Sequence, residues 1–170
     1  MSVSPQGTAT MHRVMIQPAT YYNCAKAVDR AFEKFPLEIA GKTVMIKPNL
    51  LRSSSADEHI VTHPALVKAV VAKVESLSPT KIVVGDNPGL FGYGDNEKCF
   101  QETGLMDAAG PLYRNIGDDI RKLAFNPDFM PEIGISKDIL DADILISLPK
   151  FKTHGLTVMT GAIKNSYGIL

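Results

Sequence analysis

Lys150, Lys152 and His154 alternate along the stretch PKFKTHG, and Lys164 follows downstream in TGAIKNSYG. In extended chain, alternate side chains share a face, so the two lysines and the histidine point one way while Phe151 and Thr153 point the other. Two ammonium groups ~4 Å apart repel by about 4 kcal/mol at an effective dielectric near ~20. Lysines that converge in a partly buried place therefore need an anion among them, or must lower their pKa values. The chemistry implied is capture of a phosphate or carboxylate group. A histidine beside it, His154 or His63, titrates near neutral pH and could move a proton.

Two more polar motifs follow β-rich runs. TVMIK ends in Lys47-Pro48-Asn49, and KIVV ends in Gly85-Asp86-Asn87-Pro88-Gly89. Asp86 has three available roles: offsetting lysine charge, orienting a lysine, or holding a metal with His63 and His154. The lysines argue against a cation there, and no metal ligand set is assigned. Thr160 and Lys164 are four apart, which places them on one face of a helix. A helix starting near Thr160-Gly161 would add free backbone N–H groups for an anion. Asn87 and Thr153 complete the polar set at these motifs.

Each feature also has a structural reading. Lys150, Lys152 and His154 fit the solvated face of an edge strand equally well, and His63 before Pro64 fits a helix cap. The spacing Gly89, Gly92, Gly94 runs GxxGxG, not the dinucleotide order GxGxxG, and no GxxxxGK[ST] is present.

For three separated motifs to make one site, the strands before them must be parallel neighbours. Val14–Ile16 is a short strand candidate. Ala27, Val28, Ala31, Phe32 and Phe35 recur at helical spacing after Asn23. TVMIK, 43–47, reads as a buried strand. Leu66, Val67, Val70, Val71, Val74 and Leu77 form a second helical stripe opened by Pro64. KIVV, 81–84, and DILISL, 143–148, are further strands, with a short helix over 95–103 ended by Gly104. LYRNI, 112–116, offers another strand, NPDFMPEIG reads as turn, and a last helix starts near 157–160. The β-α-β-α-β order predicts an α/β fold with a mainly parallel, Rossmann-like layered sheet and helices on both faces. Ligands of such sheets bind at the carboxyl ends of the strands. Residues 1–12 read as a disordered lead and 13–170 as a single domain, incomplete at its apolar end Gly168-Ile169-Leu170.

Composition sets outer bounds. The chain has 170 residues, with 18 Lys plus Arg against 18 Asp plus Glu. A broad nucleic-acid surface needs a basic excess, so that partner is not expected. The two cysteines, Cys24 and Cys99, form no CxxC and suit a reducing compartment. No apolar run approaches the ~18 residues of a membrane span. The expectation is a cytoplasmic protein without nucleic-acid or membrane partner.

The strings IKPNL, THP at 62–64, GDNPG at 85–89 and PKFKTHGLTVMTGAIKNSYG resemble the family of unknown function DUF362, over about residues 14–168. Positions carried over are Lys47, Asn49, Thr62, His63, Asp86, Lys150, Lys152, His154, Lys164 and Asn165. Asn87 stands where the family often has Ser, and Tyr167 replaces the usual Phe. The resemblance implies iron–sulfur company, because many members carry ferredoxin-like [4Fe–4S] motifs beyond this domain. This chain holds no such cysteines, so its own cofactor stays unassigned, with a ferredoxin-like or homo-oligomeric partner the expectation. The leading reading is an enzyme, or part of one, acting on an anionic small molecule. The alternative is a non-catalytic interaction module whose apolar C-terminal end is covered by a partner.

Overall fold

The computed structural model describes residues 12–89, 92 and 94–169. Leu90, Phe91, Tyr93, Leu170 and residues 1–11, with most of the expected N-terminal lead, lie outside the described residues.

Three strands form the central sheet: β1 (Thr43–Pro48), β2 (Lys81–Val84) and β5 (Ile144–Leu148), in spatial order β2-β1-β5. All pairs are parallel, with Met45 opposite both Val83 and Leu145. Parallel strands need covered faces, and β1 is apolar on both sides for that reason. Side chains alternate, so Val44, Ile46 and Val84 enter one core while Met45 and Val83 face the other way.

Helix α1 (Cys24–Lys34) and helix α2 (Pro64–Glu75) lie against the first face. So do α3 (Asn96–Glu102) and α4 (Leu105–Ala109), through Cys99, Phe100, Leu105 and Ala108. Pro64 opens α2, where its missing N–H costs nothing, and Val67, Val70, Val71 and Val74 are its buried residues. His63 caps the helix: its Nδ1 accepts from the Ala65 N–H at 3.1 Å.

The second face is thinner. Met45, Val83 and Ile116 are joined there only by partly buried Ile139 and Ala142. Ile139 belongs to the one-turn helix α5 (Lys137–Leu140). The expected layering with helices on both faces is therefore corrected: the long helices share one face, and the parallel sheet has three strands.

The rest of the chain forms two antiparallel hairpins. β3 (Ile120–Asn126) pairs with β4 (Met130–Ser136), and β6 (Lys152–His154) with β7 (Val158–Thr160). A one-turn helix, α6 (Ala162–Asn165), and a 3-10 turn over Ser166–Ile169 end the described chain.

Four local expectations are overturned. Val14–Ile16 is not a strand; Val14 and Ile16 are exposed and find no sheet partner. LYRNI is not a strand: its Leu112 ends the 3-10 turn Gly110–Leu112, and Tyr113 makes one bridge to Val84. NPDFMPEIG is the tip and second strand of the β3–β4 hairpin. The helix expected from 157–160 is replaced by β7 and the single turn of α6, because Val158–Thr160 pair with Lys152–His154 across a turn that contains Gly155. Among the described residues, no helix is long and apolar enough to cross a membrane.

Candidate functional site

The three strand ends meet on one edge. Lys47 closes β1 on the thin face of the sheet, and its Nζ lies 2.5 Å from Asp86 Oδ1 beyond β2. Asp86 also accepts from the Leu50 N–H at 2.7 Å and its neighbour Asn87 N–H at 3.0 Å. Gly85 lets the chain pass here: a Cβ would lie 2.6 Å from Ile116 Cγ2 and 2.7 Å from the Arg114 carbonyl oxygen.

Asn165 ties the C-terminal segment to this pair. Its Oδ1 accepts from Lys47 Nζ at 3.3 Å, and its Nδ2 donates to Ser147 Oγ at 2.9 Å and to the Pro48 carbonyl at 3.3 Å. Gly168 lies on the pair as well; a Cβ there would stand 2.8 Å from Asp86 Oδ1 and 3.0 Å from Lys47 Nζ.

On the other side of β1, Asn49 N–H donates to Thr62 Oγ1 at 2.8 Å, and Thr62 N–H returns to the Asn49 carbonyl at 3.0 Å. Thr62 Oγ1 in turn donates to the Leu148 carbonyl of β5. Lys152 Nζ donates to the Ile60 carbonyl, two residues before Thr62. Lys152 sits directly opposite Thr160 in the β6–β7 hairpin. Asn165 N–H then bonds the Gly161 carbonyl at 2.9 Å. Lys47, Asn49, Thr62, Lys152, Thr160 and Asn165 thus form a closed circuit through backbone and side-chain bonds.

Burial, the largest influence, pushes Lys47 below its ordinary value; Asp86 opposes this, and Lys164 adds a smaller push downward. Burial pushes the Asp86 carboxyl up to about 6 against the pull of Lys47 and the Leu50 and Asn87 N–H groups. Lys152 is pushed down to about 8 by burial, then by Lys164 and Lys150. Lys164 therefore acts on two lysines at once, as a shared cationic neighbour does.

Two buried oxygens on the circuit, Asn49 Oδ1 and Thr160 Oγ1, find no hydrogen-bond partner among the described residues. Their residues are only 6% and 1% exposed. An unmet buried polar group costs about 1–3 kcal/mol.

The remaining expected residues stand apart from the pair. Lys150 Nζ reaches the Tyr21 hydroxyl at 2.8 Å, and the Tyr21 ring stacks on His63 with centroids 3.7 Å apart. His63 is pushed below its ordinary value by burial, then by Lys150, with Asp57 opposing and His59 adding to the push. With Nδ1 accepting, neutral His63 keeps its proton on Nε2. His154 Nδ1 accepts from the Leu156 and Thr157 N–H groups and so is bound into its own turn. Burial alternates from Lys150 to His154 as expected, leaving Phe151 and Thr153 exposed. Asn87 Oδ1 turns to Asn96 Nδ2, 2.9 Å away, which also donates to Asn115. Thr160 belongs to β7, not to the helix of Lys164, and one turn of helix does not make the expected anion-binding N-terminus.

Tyr21, Ser147, Asn96 and Gly168 were not expected at the site. Ser147 lay inside the quoted run DILISL and Gly168 inside TGAIKNSYG. Two shallow hollows of about 360 and about 370 Å³ lie along the N-terminal segment and α1, and neither includes a strand-end residue. At the strand ends Lys47, Asn49, Asp86, Thr160 and Asn165 are buried, whereas Lys152 and Lys164 are partly exposed.

The profile described as "Domain of unknown function (DUF362)" matches residues 44–170. The chain belongs to the DUF362 family. It is 30% identical over 133 residues to the "Thylakoid-associated protein sll1697" of Synechocystis sp. (strain ATCC 27184 / PCC 6803 / Kazusa). That match covers 75% of this chain and 39% of the relative, so the chain spans about two fifths of the relative's length. No solved structure matches the chain significantly. Of the DUF362 positions carried over from sequence, Lys47, Asn49, Thr62, Lys152 and Asn165 lie on the strand-end circuit and Asp86 is paired with Lys47.

The residues of this DUF362 chain do not fit an iron–sulfur cluster. Cys24 and Cys99 lie on different helices, each is buried, and two thiols do not supply four ligands. Among the described residues, no three His, Cys, Asp or Glu side chains gather as a metal site. The set His63, Asp86 and His154 is not brought together.

Proposed function

We propose that this DUF362 chain binds a small phosphate- or carboxylate-bearing molecule at the carboxyl edge of its parallel sheet. The observation that carries the reading is the clustering of Lys47, Lys152 and Lys164, with Asp86 the one carboxylate bonded to them among the described residues. Asp86 already serves Lys47. Among the described residues Lys152 Nζ meets only the Ile60 carbonyl, a neutral acceptor, and its charge is penalised by burial and by two neighbouring lysines. A bound anion would relieve that penalty and raise the Lys152 pKa back toward its ordinary value.

Binding requires the buried part of the site to open. The segment carrying Lys164, Asn165 and Gly168 lies directly over the Lys47–Asp86 pair and contains a single helical turn. Its displacement would free Lys47 from Asn165 and expose the lysines together. His63, with its proton on Nε2 and Lys150 beside it, is the group best placed to exchange a proton with a guest at the rim.

Thermal unfolding in phosphate, sulfate and dicarboxylate buffers at constant ionic strength tests the reading. A specific rise in Tm with one acid, lost in Lys152→Ala, supports it. Equal Tm across a broad panel of acids sinks it.

A second reading is supported by apolar exposure at the C-terminal end. Leu156 and Ile163 are 88% and 92% exposed, with Phe151, Val158 and Tyr167 nearby in sequence and also exposed. Such a surface suits a covering partner. Light scattering of the purified chain distinguishes this: self-association that Ile163→Lys abolishes would support an interface, and a monomer at all concentrations would count against self-association.

A further inference from the structure

The circuit at the strand ends carries more than cations. Asn49 Oδ1 is an acceptor only, because an amide oxygen has no proton to give. Buried and unmet, it calls for a donor from the guest. Thr160 Oγ1 can donate or accept, and it too is unmet. The dianionic group of a phosphate monoester, or a plain carboxylate, offers acceptors alone and leaves Asn49 Oδ1 unsatisfied.

Two donors are common on small metabolic acids, ammonium and hydroxyl. An ammonium would sit among Lys47, Lys152 and Lys164 and meet their repulsion. A hydroxyl brings a donor without charge. It can donate to Asn49 Oδ1 and at the same time accept from Thr160 Oγ1–H. The cross-strand pairing of Thr160 with Lys152 puts the two side chains on the same face of their hairpin. The bonds from Lys152 to Ile60 and from the Asn49 N–H to Thr62 tie that hairpin to the segments that carry Asn49.

Resting on the anion reading above, we propose that the guest is a hydroxylated small acid, its acidic group held by Lys152 and Lys164 and its hydroxyl by Asn49 and Thr160. Recognition would then depend on a matched pair of features, and removing the hydroxyl from the guest would leave both oxygens unmet as before.

Matched ligands test this in the unmodified chain. Malate is compared with succinate, and glycerol phosphate with propyl phosphate, by titration calorimetry at one pH and ionic strength. The expected result is binding of the hydroxylated member of at least one pair about tenfold more tightly than its partner, the effect of roughly one well-formed hydrogen bond. Thr160→Val, which keeps the side-chain shape, should bring that ratio close to one, and Asn49→Leu should do the same. Equal affinities within both pairs would overturn this inference and leave the anion reading standing. A preference that survives in both variants would overturn the assignment to Asn49 and Thr160. Absence of binding by all four acids would overturn the anion reading itself, and this inference with it.

Discussion

Lys47 Nζ and Asp86 Oδ1 lie 2.5 Å apart, and each side chain is 1% exposed. The pair joins the end of β1 to the loop after β2, and Asn165 joins Lys47 to the last segment of the described chain. Breaking a buried pair leaves one charge stranded, at a typical cost of about 3–5 kcal/mol. Lys47→Met is expected to destabilise by roughly that amount in denaturant unfolding, and Lys47→Met with Asp86→Leu by much less. Equal losses in the single and double variants would show that the charges do not act as a unit.

The same pair sets a pH dependence. The folded Asp86 carboxyl holds its proton up to about 6, whereas the unfolded one releases it near 3.8. Between those values the native state binds more protons, so this group's contribution to stability falls as pH rises through the window. The slope should flatten in Asp86→Asn. Calorimetric Tm measured at steps from pH 4 to pH 6.5 reads it directly.

Lys152 acts in the opposite sense at high pH. Its folded value is about 8 against 10.5 when unfolded, so the native state binds fewer protons between them. Stability from this group therefore rises with pH across that range. Wild type should gain on Lys152→Met from pH 8 to pH 10 in urea titrations. The affinity for an anion should fall over the same interval as Lys152 gives up its charge.

Tyr21 covers one face of His63. Burial is the leading cause of the lowered His63 pKa, so Tyr21→Ala should raise it toward the ordinary value. Histidine ring resonances followed by NMR across pH 5 to 8 would show the shift. The stacking itself is worth about 0.5–1.5 kcal/mol. An unchanged titration would mean that α2 alone dries the ring.

Gly85 and Gly155 make a contrasting pair. A methyl at Gly85 meets Ile116 Cγ2 and a backbone oxygen, whereas nothing lies within 4 Å of a Cβ at Gly155. Gly85→Ala is expected to cost about 1–3 kcal/mol from overpacking. Gly155→Ala should stay within about 0.5 kcal/mol, the usual range for open surface positions. Both are read from chemical denaturation midpoints.

The central sheet was legible because β1, β2 and β5 are apolar runs ending in polar motifs, and α2 has an unambiguous stripe with Pro64 at its start. From that alone, Lys47 and Asp86 were expected on a common edge. The β3–β4 hairpin was hidden because β3 buries almost nothing: one residue in Ile120–Asn126, Leu123, escapes full exposure. A strand without a buried face leaves no period-two signal. The C-terminal region misled for a different reason. Thr157 to Asn165 contains helix-compatible residues, yet cross-strand bonds between β6 and β7 fix the first part as sheet. Tyr21 left no trace in sequence, since its role depends on stacking against a residue 42 positions away. Asn49 and Thr160 were named from the family pattern and from an expected helix, but that their oxygens are unmet is visible only in three dimensions.

Asp86 accepts from Leu50 and Asn87, pairs with Lys47, and through it touches Asn165 and Gly168. Loops that are independent in sequence thereby share one fate in solvent exchange. The amides of Leu50, Asn87 and Asn165 should trade hydrogen for deuterium with a common opening free energy, and loosening any one of them should loosen all three.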